Sequence, residues 1–457
     1  MSLLLVSMDA VALNVALPDI NHDFGAAIAE LQWTVDAYTL VVAALLVLSG
    51  STADRLGRRR TFQIGVSTFT LGSLLCSLAP GVGWLIFFRM VQAVGGSMMN
   101  PVAMSLITAA FPDKATRAKA VGVWSAVTGI SLGIGPLVGG ILTDTVGWRG
   151  IFWINVPLGI AAVILTATFV PESRSATRRR LDPLGQLLMV VFLVGLVAGL
   201  IEGPRLGWGA PGTLGLFAAA VVALVWFAFH GARHRDPVIN TRFFRSLPFS
   251  TAALTAMGAF AANGALMFAL TLYLQEVRGF SPFEAGLHTL PLAVAQIIFA
   301  PISGRLVASR GTRLPLILSA VLLAVAALGL TPLSPSTPMP YLLTTLFVFG
   351  VGLGLVNAPI TTTAVSTMPV SQSGAAAAVA STSRQVGTAL GVALAGTLTG
   401  IGAHSSVDPA AFATATHALW WVFVGVGLFL LTLALVATSA AGRRSAARVS
   451  VLLEAGA

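Results

Sequence analysis

The chain has 457 residues, of which 56% are hydrophobic and 9% charged, with a formal net charge of +10, and its mean hydropathy is +0.89. These values lie well outside the composition of soluble globular proteins. The charged residues gather in short clusters between apolar runs of about 18 to 28 residues, the length that a helix needs to cross a bilayer. The composition therefore excludes a soluble protein and predicts an all-α polytopic membrane protein.

Fourteen apolar runs are candidate transmembrane helices. A transmembrane barrel would instead need alternating segments of about ten residues with polar insides, and the sequence shows no such alternation. The first run starts almost at Met1 without the basic start or cleavage site of a signal peptide, so we expect the natural chain to begin upstream. The predicted spans are residues 3–19, 31–51, 61–79, 83–110, 119–142, 150–170, 184–202, 213–230, 249–275, 285–308, 314–333, 341–368, 374–400 and 417–440.

The distribution of the positive charge argues against nucleic-acid binding. Most of the 26 Lys and Arg residues fall in the loops and tail on one predicted face, whereas the other face has only Arg149, Arg205 and Arg278. Basic loops remain in the cytoplasm. We therefore expect a multi-pass protein of the bacterial cytoplasmic membrane, with both termini cytoplasmic, surrounded by lipid and with no nucleic-acid partner.

An internal repeat relates the two halves of the chain. Two glycines and an arginine of residues 50–59 recur in residues 304–313 at an offset of 254, and the fourth span, 83–110, resembles the twelfth, 341–368, at an offset of 257. Transporters are commonly built from such repeats. Spans one to six are therefore predicted to be a parallel copy of spans nine to fourteen, with spans seven and eight as an inserted pair.

Two charge-rich stretches with helix-breaking residues divide the chain and are predicted to be linkers. Neither of them is long enough to form a soluble domain. The predicted organisation is a six-helix bundle at 1–170, a cytoplasmic linker at 171–183, two inserted helices at 184–231, a second linker at 232–248, a second six-helix bundle at 249–440 and a cytoplasmic tail at 441–457.

Five motifs follow one another in an order and spacing typical of one family. They are residues 9–18 in the first span, the loop 50–60, Arg89-Met-Val-Gln92, the glycine-rich stretch 129–140, and residues 148–157. Together they resemble the fourteen-span drug:proton antiporters of the major facilitator superfamily over essentially the whole chain. The resemblance implies a major facilitator fold, with two pseudo-symmetric six-helix bundles plus two inserted helices.

Ionisable side chains at membrane depth are costly and usually functional. Asp9 lies midway along the first span and Asp36 inside the outer end of the second, and we predict proton-coupling or substrate roles for both. The resemblance implies a role in proton transfer for Arg89, whose helix face Gln92 shares. The alternatives are a helix–helix hydrogen bond for Asp9, solvation at the outer mouth for Asp36 and a structural ion pair for Arg89. Arg384, near a cytoplasmic helix end, is expected to snorkel.

The loop after the second span has the chemistry of a cytoplasmic conformational latch. Its glycines permit close backbone approach, its aspartate can bond to an arginine or a helix N-terminus, and its arginines face anionic headgroups. Topology alone would account for the arginines, so the latch prediction rests on the glycines and the aspartate. The latch residues are Gly50, Asp54, Arg55, Gly57, Arg58 and Arg59.

The fifth span carries glycines four residues apart, which stack on one face and let another helix approach closely. The resemblance associates this motif with antiport, and we expect it to lie at the interface between the bundles. Small-residue packing also occurs in many other membrane proteins. The motif residues are Gly129, Gly133, Gly135, Pro136, Gly139 and Gly140.

These features predict proton-coupled efflux of small amphipathic or cationic compounds, such as drugs or antibiotics, by a monomer. No phosphate-binding loop surrounds the lysines, so a proton gradient supplies the energy and no cofactor is expected. Cys76 is the single cysteine, and no metal site is predicted. The alternatives are a dedicated metabolite exporter, an uncoupled facilitator or, more remotely, a membrane-embedded enzyme or sensor. Because the sequence lacks clustered catalytic residues, we expect no enzyme.

Overall fold

The computed structural model describes residues 2–111, 113–173, 182–234, 237–366, 368, 372–399 and 409–454. Within these residues all regular secondary structure is helical, so the predicted all-α class is confirmed. Most of the linker predicted at 171–183 lies outside the described residues, as do Pro112 and Pro369 at the ends of the fourth and twelfth spans.

Seven helices form the first half of the chain, two helices follow as a pair, and eight form the second half. The first half contains α1 (Ser2–Phe24), α2 (Ile28–Leu56), α3 (Arg58–Ser77), α4 (Val82–Ala110), α5 (Lys114–Val146), α6 (Gly150–Trp153) and α7 (Asn155–Phe169). The pair is α8 (Pro183–Leu206) and α9 (Pro211–Arg233). The second half contains α10 (Leu247–Leu272), α11 (Pro282–His288), α12 (Leu290–Arg310), α13 (Arg313–Leu330), α14 (Met339–Ser366), α15 (Ser373–Leu398), α16 (Pro409–Ala437) and α17 (Ala440–Glu454).

Three predicted spans differ from continuous α-helices. The sixth is divided into α6 and α7. The ninth runs from α10 into a π-helical turn at Tyr273–Val277. The tenth is divided into α11 and α12, and Pro291 lies in the first turn of α12, where its missing N–H group costs nothing. The segment 441–457, predicted only as a tail, contains α17.

Eleven helices in the described part of the chain are long and apolar enough to cross a membrane. Helices α3, α5 and α15 also coincide with predicted spans but contain more Gly, Ser and Thr. Such small side chains suit close packing between helices within the protein. The chain is therefore a multi-pass membrane protein. The count of fourteen spans stays a prediction.

The helices of the two halves pack in equivalent pairs. In this comparison α1, α2, α3, α4, α5 and α7 of the first half correspond to α10, α12, α13, α14, α15 and α16 of the second half. In the first half α1 packs on α5, α2 on α4, and α3 on both α4 and α7. In the second half α10 packs on α15, α12 on α14, and α13 on both α14 and α16. The contacts between the halves are also reciprocal, with α2 against α15 and α12 against α5. A parallel duplication of a six-helix unit produces this pattern.

The pair α8 and α9 covers one seam between the halves. Helix α8 packs on both α2 and α15. Gln186 of α8 donates to the carbonyl oxygen of Ala44 on α2, and the indole N–H of Trp33 donates to Glu202 of α8 at 3.0 Å. Helix α9 packs on α8 and exposes apolar side chains such as Val221, as a lipid-facing helix does.

Candidate functional site

The first half contains a buried ion pair between α1 and α4. Nη1 of Arg89 lies 2.5 Å from Oδ2 of Asp9, and the two side chains are 1% and 0% exposed. Gln92, one turn further along α4, accepts from Arg89 at 2.7 Å and donates to Oδ1 of Asp9 at 2.9 Å. The structure thus brings three of the four predicted coupling residues into direct contact.

Two residues that the sequence did not single out complete this network. Asn155, the first residue of α7, donates from Nδ2 to Oδ1 of Asp9 at 2.8 Å and contacts Oγ of Ser73 at 3.0 Å. Ser73 donates to the carbonyl oxygen of Phe152 at 3.0 Å. Asn155 belongs to the motif at 148–157 and lies at the beginning of α7.

Helix α2 holds the other side of the guanidinium. Nε of Arg89 donates to the carbonyl oxygen of Thr34 at 3.3 Å, and its central carbon lies 4.2 Å from the centre of the Tyr38 ring, a cation–π distance. Both oxygens of Asp9 and the charge of Arg89 are therefore satisfied. The interhelical bonding that the sequence left open for Asp9 and Arg89 is present, and their role in proton transfer stays a prediction.

Asp36 of α2 has a different environment. Its side chain is fully buried, and neither carboxylate oxygen has a hydrogen-bond partner among the described residues, so the solvated position considered for it does not apply to this conformation. One turn earlier, Gln32 donates to the carbonyl oxygens of Val392 and Ala393 on α15, both at 3.0 Å. Residues four apart share a helix face, so Asp36 lies on the side of α2 that meets the second half.

The second half contains its own intramembrane cation, the half-buried Arg384 of α15. Its guanidinium donates to Asn357 and Thr361 of α14, each at 3.3 Å, and to Ser381 at 2.9 Å. These partners are all neutral. Bonds within the protein therefore contribute to solvating Arg384, in addition to the snorkelling expected from its position.

The latch residues lie at the junction of α2 and α3. Asp54 and Arg58 form an ion pair of 3.5 Å one turn apart. Arg58 also donates to the carbonyl oxygen of Ser105 at 3.5 Å, and Arg59 donates to that of Val170 at 3.3 Å. Gly50 and Arg55 lie in the last two turns of α2. The described contacts of Arg58 and Arg59 thus tie this junction to other helices of the first half.

Glu172 is a latch residue that the sequence did not indicate. Its carboxylate accepts from the backbone N–H groups of Arg59 at 3.1 Å and Arg60 at 3.3 Å, the orphan donors of the first turn of α3. A carboxylate there also interacts favourably with the helix dipole. Gly57 makes this approach possible, because it has a φ of +108° and a Cβ on it would lie 2.6 Å from Oε1 of Glu172.

Gly57→Ala should destabilise the latch. The backbone conformation alone costs a non-glycine residue about 1–3 kcal/mol, and the added methyl group displaces Glu172. We expect a lower thermal unfolding temperature in detergent. Gly215→Ala in α9 is the control, because it adds a Cβ outside the latch that meets none of the described residues within 4 Å, and alanine favours a helix. Equal unfolding temperatures for the two variants would contradict this latch geometry.

Helix α5 packs closely on both halves through its glycines. A Cβ on Gly139 would lie 2.7 Å from the carbonyl oxygen of Ala12 on α1, and a Cβ on Gly140 would lie 2.5 Å from that of Pro282 on α11. Gly135 faces α1 as well, and the carbonyl oxygen of Pro136 faces α11. Gly129 and Gly133 lie in a part of α5 where the surroundings of the side chains are outside the described set.

Further contacts close the halves together at the face where α1 ends and α2 begins. The N–H group of Phe283 donates to Asp144 of α5 at 3.0 Å, and Gln275 donates to the carbonyl oxygen of Val15 on α1 at 2.7 Å. The predicted orientation makes this face extracellular. In that orientation the structure is a conformation closed toward the outside.

Gly140→Leu should prevent this closure, since the side chain would occupy the space of Pro282. We expect Val15→Cys, in a Cys76→Ser background, to react several-fold faster with a membrane-impermeant maleimide once Gly140→Leu is added. Gly215→Leu is the control, because a Cβ there meets nothing within 4 Å. Unchanged labelling with Gly140→Leu would show that α11 does not need the glycine to approach.

Asp9→Asn should destabilise the protein strongly, because it leaves the Arg89 guanidinium buried without a counter-charge. Removing one partner of a buried pair costs about 3–5 kcal/mol. We expect a lower unfolding temperature, partly restored in the double variant Asp9→Asn, Arg89→Gln. Asp19→Asn, at a half-buried position on the same helix, should have little effect. A fully stable Asp9→Asn protein would mean that the ion pair is dispensable.

A charged cluster inside the first of two similarly packed helical halves is typical of a polytopic membrane transporter. Residues 1–392 match the Major Facilitator Superfamily, and the chain belongs to this superfamily. The expectation of a transporter rather than an enzyme is therefore supported by family membership. The superfamily assignment covers most of the chain, while the fourteen-span subtype stays a prediction.

Similar proteins include two named for drug resistance. Multidrug resistance protein Stp of Mycobacterium tuberculosis is 35% identical over 409 residues, which cover 90% of this chain and 76% of that protein. A puromycin resistance protein of Streptomyces alboniger is 36% identical over 444 residues, covering 94% and 87%. Among solved structures, a xylose transporter of E. coli in a partially occluded inward-open conformation has a TM-score of 0.65 at 15% identity, covering 94% of both chains. That likeness shows the major facilitator fold.

Proposed function

We propose that this protein exports small amphipathic or cationic compounds, such as drugs or antibiotics, in exchange for protons by alternating access. The proposal includes fourteen spans, cytoplasmic termini and a monomeric working unit. The similarity to proteins named for resistance supports export of toxic compounds. The observation that carries the proton coupling is Asp36, a buried carboxylate whose oxygens have no partner in the part of the chain that the structure describes.

The surroundings of Asp36 suit a proton carrier. Burying a charged carboxylate without a hydrogen-bond donor costs far more than burying the neutral acid. The neutral acid is therefore the form that this conformation accommodates, and a conformation that admits water beside α2 accommodates the anion. Because Asp36 lies on the side of α2 that meets α15, a movement of the two halves changes its solvation directly.

Of the two possibilities that the sequence left open for Asp9 and Arg89, proton transfer and a structural ion pair, we propose the structural one. The oxygens of Asp9 are occupied by Arg89, Gln92 and Asn155, so a proton would have to displace existing bonds. We assign this cluster the task of holding α1, α4 and α7 together with α2. It fixes the helix that carries Asp36, while Asp36 itself gains and loses the proton.

The latch and the glycines of α5 act at opposite faces. The bonds of Glu172 and Arg59 tie the α2–α3 junction to the end of α7, so the first half moves as one body. The close contact of Gly140 with α11 allows the halves to meet at the outer face. A proton entering from outside reaches Asp36 after these contacts open, and the substrate leaves by the same opening.

Asp36→Asn should separate substrate binding from proton movement, because asparagine mimics the neutral acid and cannot release a proton. We would reconstitute the purified protein in liposomes with a pH-sensitive dye inside and impose a proton gradient. Lipophilic cations and neutral antibiotics, including puromycin, are then added in turn. We expect substrate-dependent proton flux in the wild-type protein and in Asp19→Asn, and none above the background of empty liposomes in Asp36→Asn.

The other outcomes of this assay identify the rival functions. Unchanged substrate-driven flux in Asp36→Asn would remove Asp36 from the coupling mechanism. Substrate movement without proton flux in the wild-type protein would indicate a facilitator or another coupling ion. No response to any member of the panel would favour a dedicated exporter of one metabolite.

A further inference from the structure

A second cluster of chemically active side chains lies at the inserted pair, outside the intramembrane network. Asp182 precedes α8 as its N-cap, His230 lies in the last turn of α9, and His234 follows that turn. The hairpin of α8 and α9 thus brings a carboxylate from one end of the pair against two imidazoles from the other. This face is cytoplasmic in the predicted orientation.

The three side chains are close enough to share one ion. Nε2 of His230 lies 2.8 Å and Nε2 of His234 lies 4.0 Å from the same oxygen of Asp182. One ligand atom from each residue falls within 4.8 Å of the others. The two histidines are four residues apart in sequence, and His234 is the residue in extended conformation that directly follows α9.

The existing distances need little adjustment for coordination. Ligand atoms about 2.0–2.1 Å from a tetrahedral Zn²⁺ lie about 3.3 Å from each other. The contact of His230 with Asp182 is about half an ångström shorter and that of His234 somewhat longer, differences that rotation of the side chains absorbs. The imidazole rings lie 4.8 Å apart between centroids, so both can turn toward one point.

Hydrogen bonds hold the Asp182 carboxylate in a fixed position. Burial on its own would raise the pKa of Asp182, but hydrogen bonds from the N–H group of Gly185, from His230 and from the N–H group of Val238 hold it below the usual value. The Asp182 side chain is 3% exposed, whereas those of His230 and His234 are 18% and 36% exposed. The buried ligand is therefore anchored, and the histidine side is open to an arriving ion.

We propose that Asp182, His230 and His234 bind a divalent transition-metal ion of the Zn²⁺ class. Two neutral imidazoles and one carboxylate are a common ligand set for this ion, and three protein ligands leave a fourth position for water. Through Asp182, which also accepts from Val238, the ion fastens the beginning of α8 to the end of α9 and to the connection that leads into α10. Its role is to stiffen the joint between the inserted pair and the second half.

The binding is tested with Co²⁺, whose visible absorption reports its coordination. The full-length protein is purified, freed of its affinity tag and of metal by a chelator, and titrated with Co²⁺ and then Zn²⁺. We expect a visible absorption band that saturates at one equivalent and disappears as Zn²⁺ replaces Co²⁺. We also expect Zn²⁺ to raise the unfolding temperature, because an ion that binds only the folded protein stabilises it.

Substitutions of single histidines test whether the ion binds at this cluster. His234→Gln and His230→Gln should weaken Co²⁺ binding by about tenfold or more, since each removes one of three ligands. His288→Gln and His417→Gln, which change histidines elsewhere, should bind as the wild-type protein does. His234→Gln should unfold at the wild-type temperature in the presence of chelator, which shows that the fold is retained.

Either of two results would overturn the proposal. One is a wild-type protein that shows no saturable Co²⁺ band and no stabilisation by Zn²⁺, which leaves Asp182 and His230 as a hydrogen-bonded cap only. The other is Co²⁺ binding of equal affinity in the triple variant of Asp182→Asn, His230→Gln and His234→Gln. Both results are independent of transport, so the proposed export function does not affect this test.

Discussion

The cost of placing charge inside a membrane governs this structure. An unpaired ion in hydrocarbon is energetically unfavourable. The intramembrane ionisable groups of this chain are stabilised in different ways. Arg89 and Asp9 neutralise each other within a network of neutral donors and acceptors. Arg384 is surrounded by neutral side chains. Asp36 has no partner within the described ranges, and on this ground we propose that Asp36 changes its protonation while the other groups hold the helices together.

The positions of these ionisable groups relate the proposed protonation of Asp36 to a movement of the two halves. The ion pair and its hydrogen bonds join α1, α2, α3, α4 and α7 of the first half, and the latch ties the same half together at the opposite end of α2. The first half can therefore move as a unit against the second. Asp36 lies where α2 meets α15, so a relative movement of the halves changes its access to water more than it changes the interior of either bundle. The proposed coupling between proton and substrate rests on that location.

Much of the fold could be predicted from the sequence, because hydrophobic length and charge clustering are strong one-dimensional signals. The helical class, the superfamily and the positions of the helices were all accessible. The contacts between distant residues were not: the hydrogen bond from Asn155 to Asp9 joins residues that are 146 positions apart in the chain. Glu172 looked like one charge in a polar linker, and only the positive φ of Gly57 shows the space that it fills. The cluster of Asp182 with His230 and His234 was not predicted. Asp182 and His230 are 48 residues apart in sequence, and the hairpin of α8 and α9 brings them together.

The most direct test of the distinction between Asp36 and Asp9 is infrared spectroscopy of the purified protein at neutral pH, which resolves the carbonyl stretch of a protonated carboxylic acid from the bands of carboxylates. We expect the wild-type protein to show a protonated-acid band that is missing in Asp36→Asn and that diminishes when a transported substrate is added. A wild-type spectrum without this band, or a band that persists unchanged in Asp36→Asn, would contradict the assignment of the proton to Asp36.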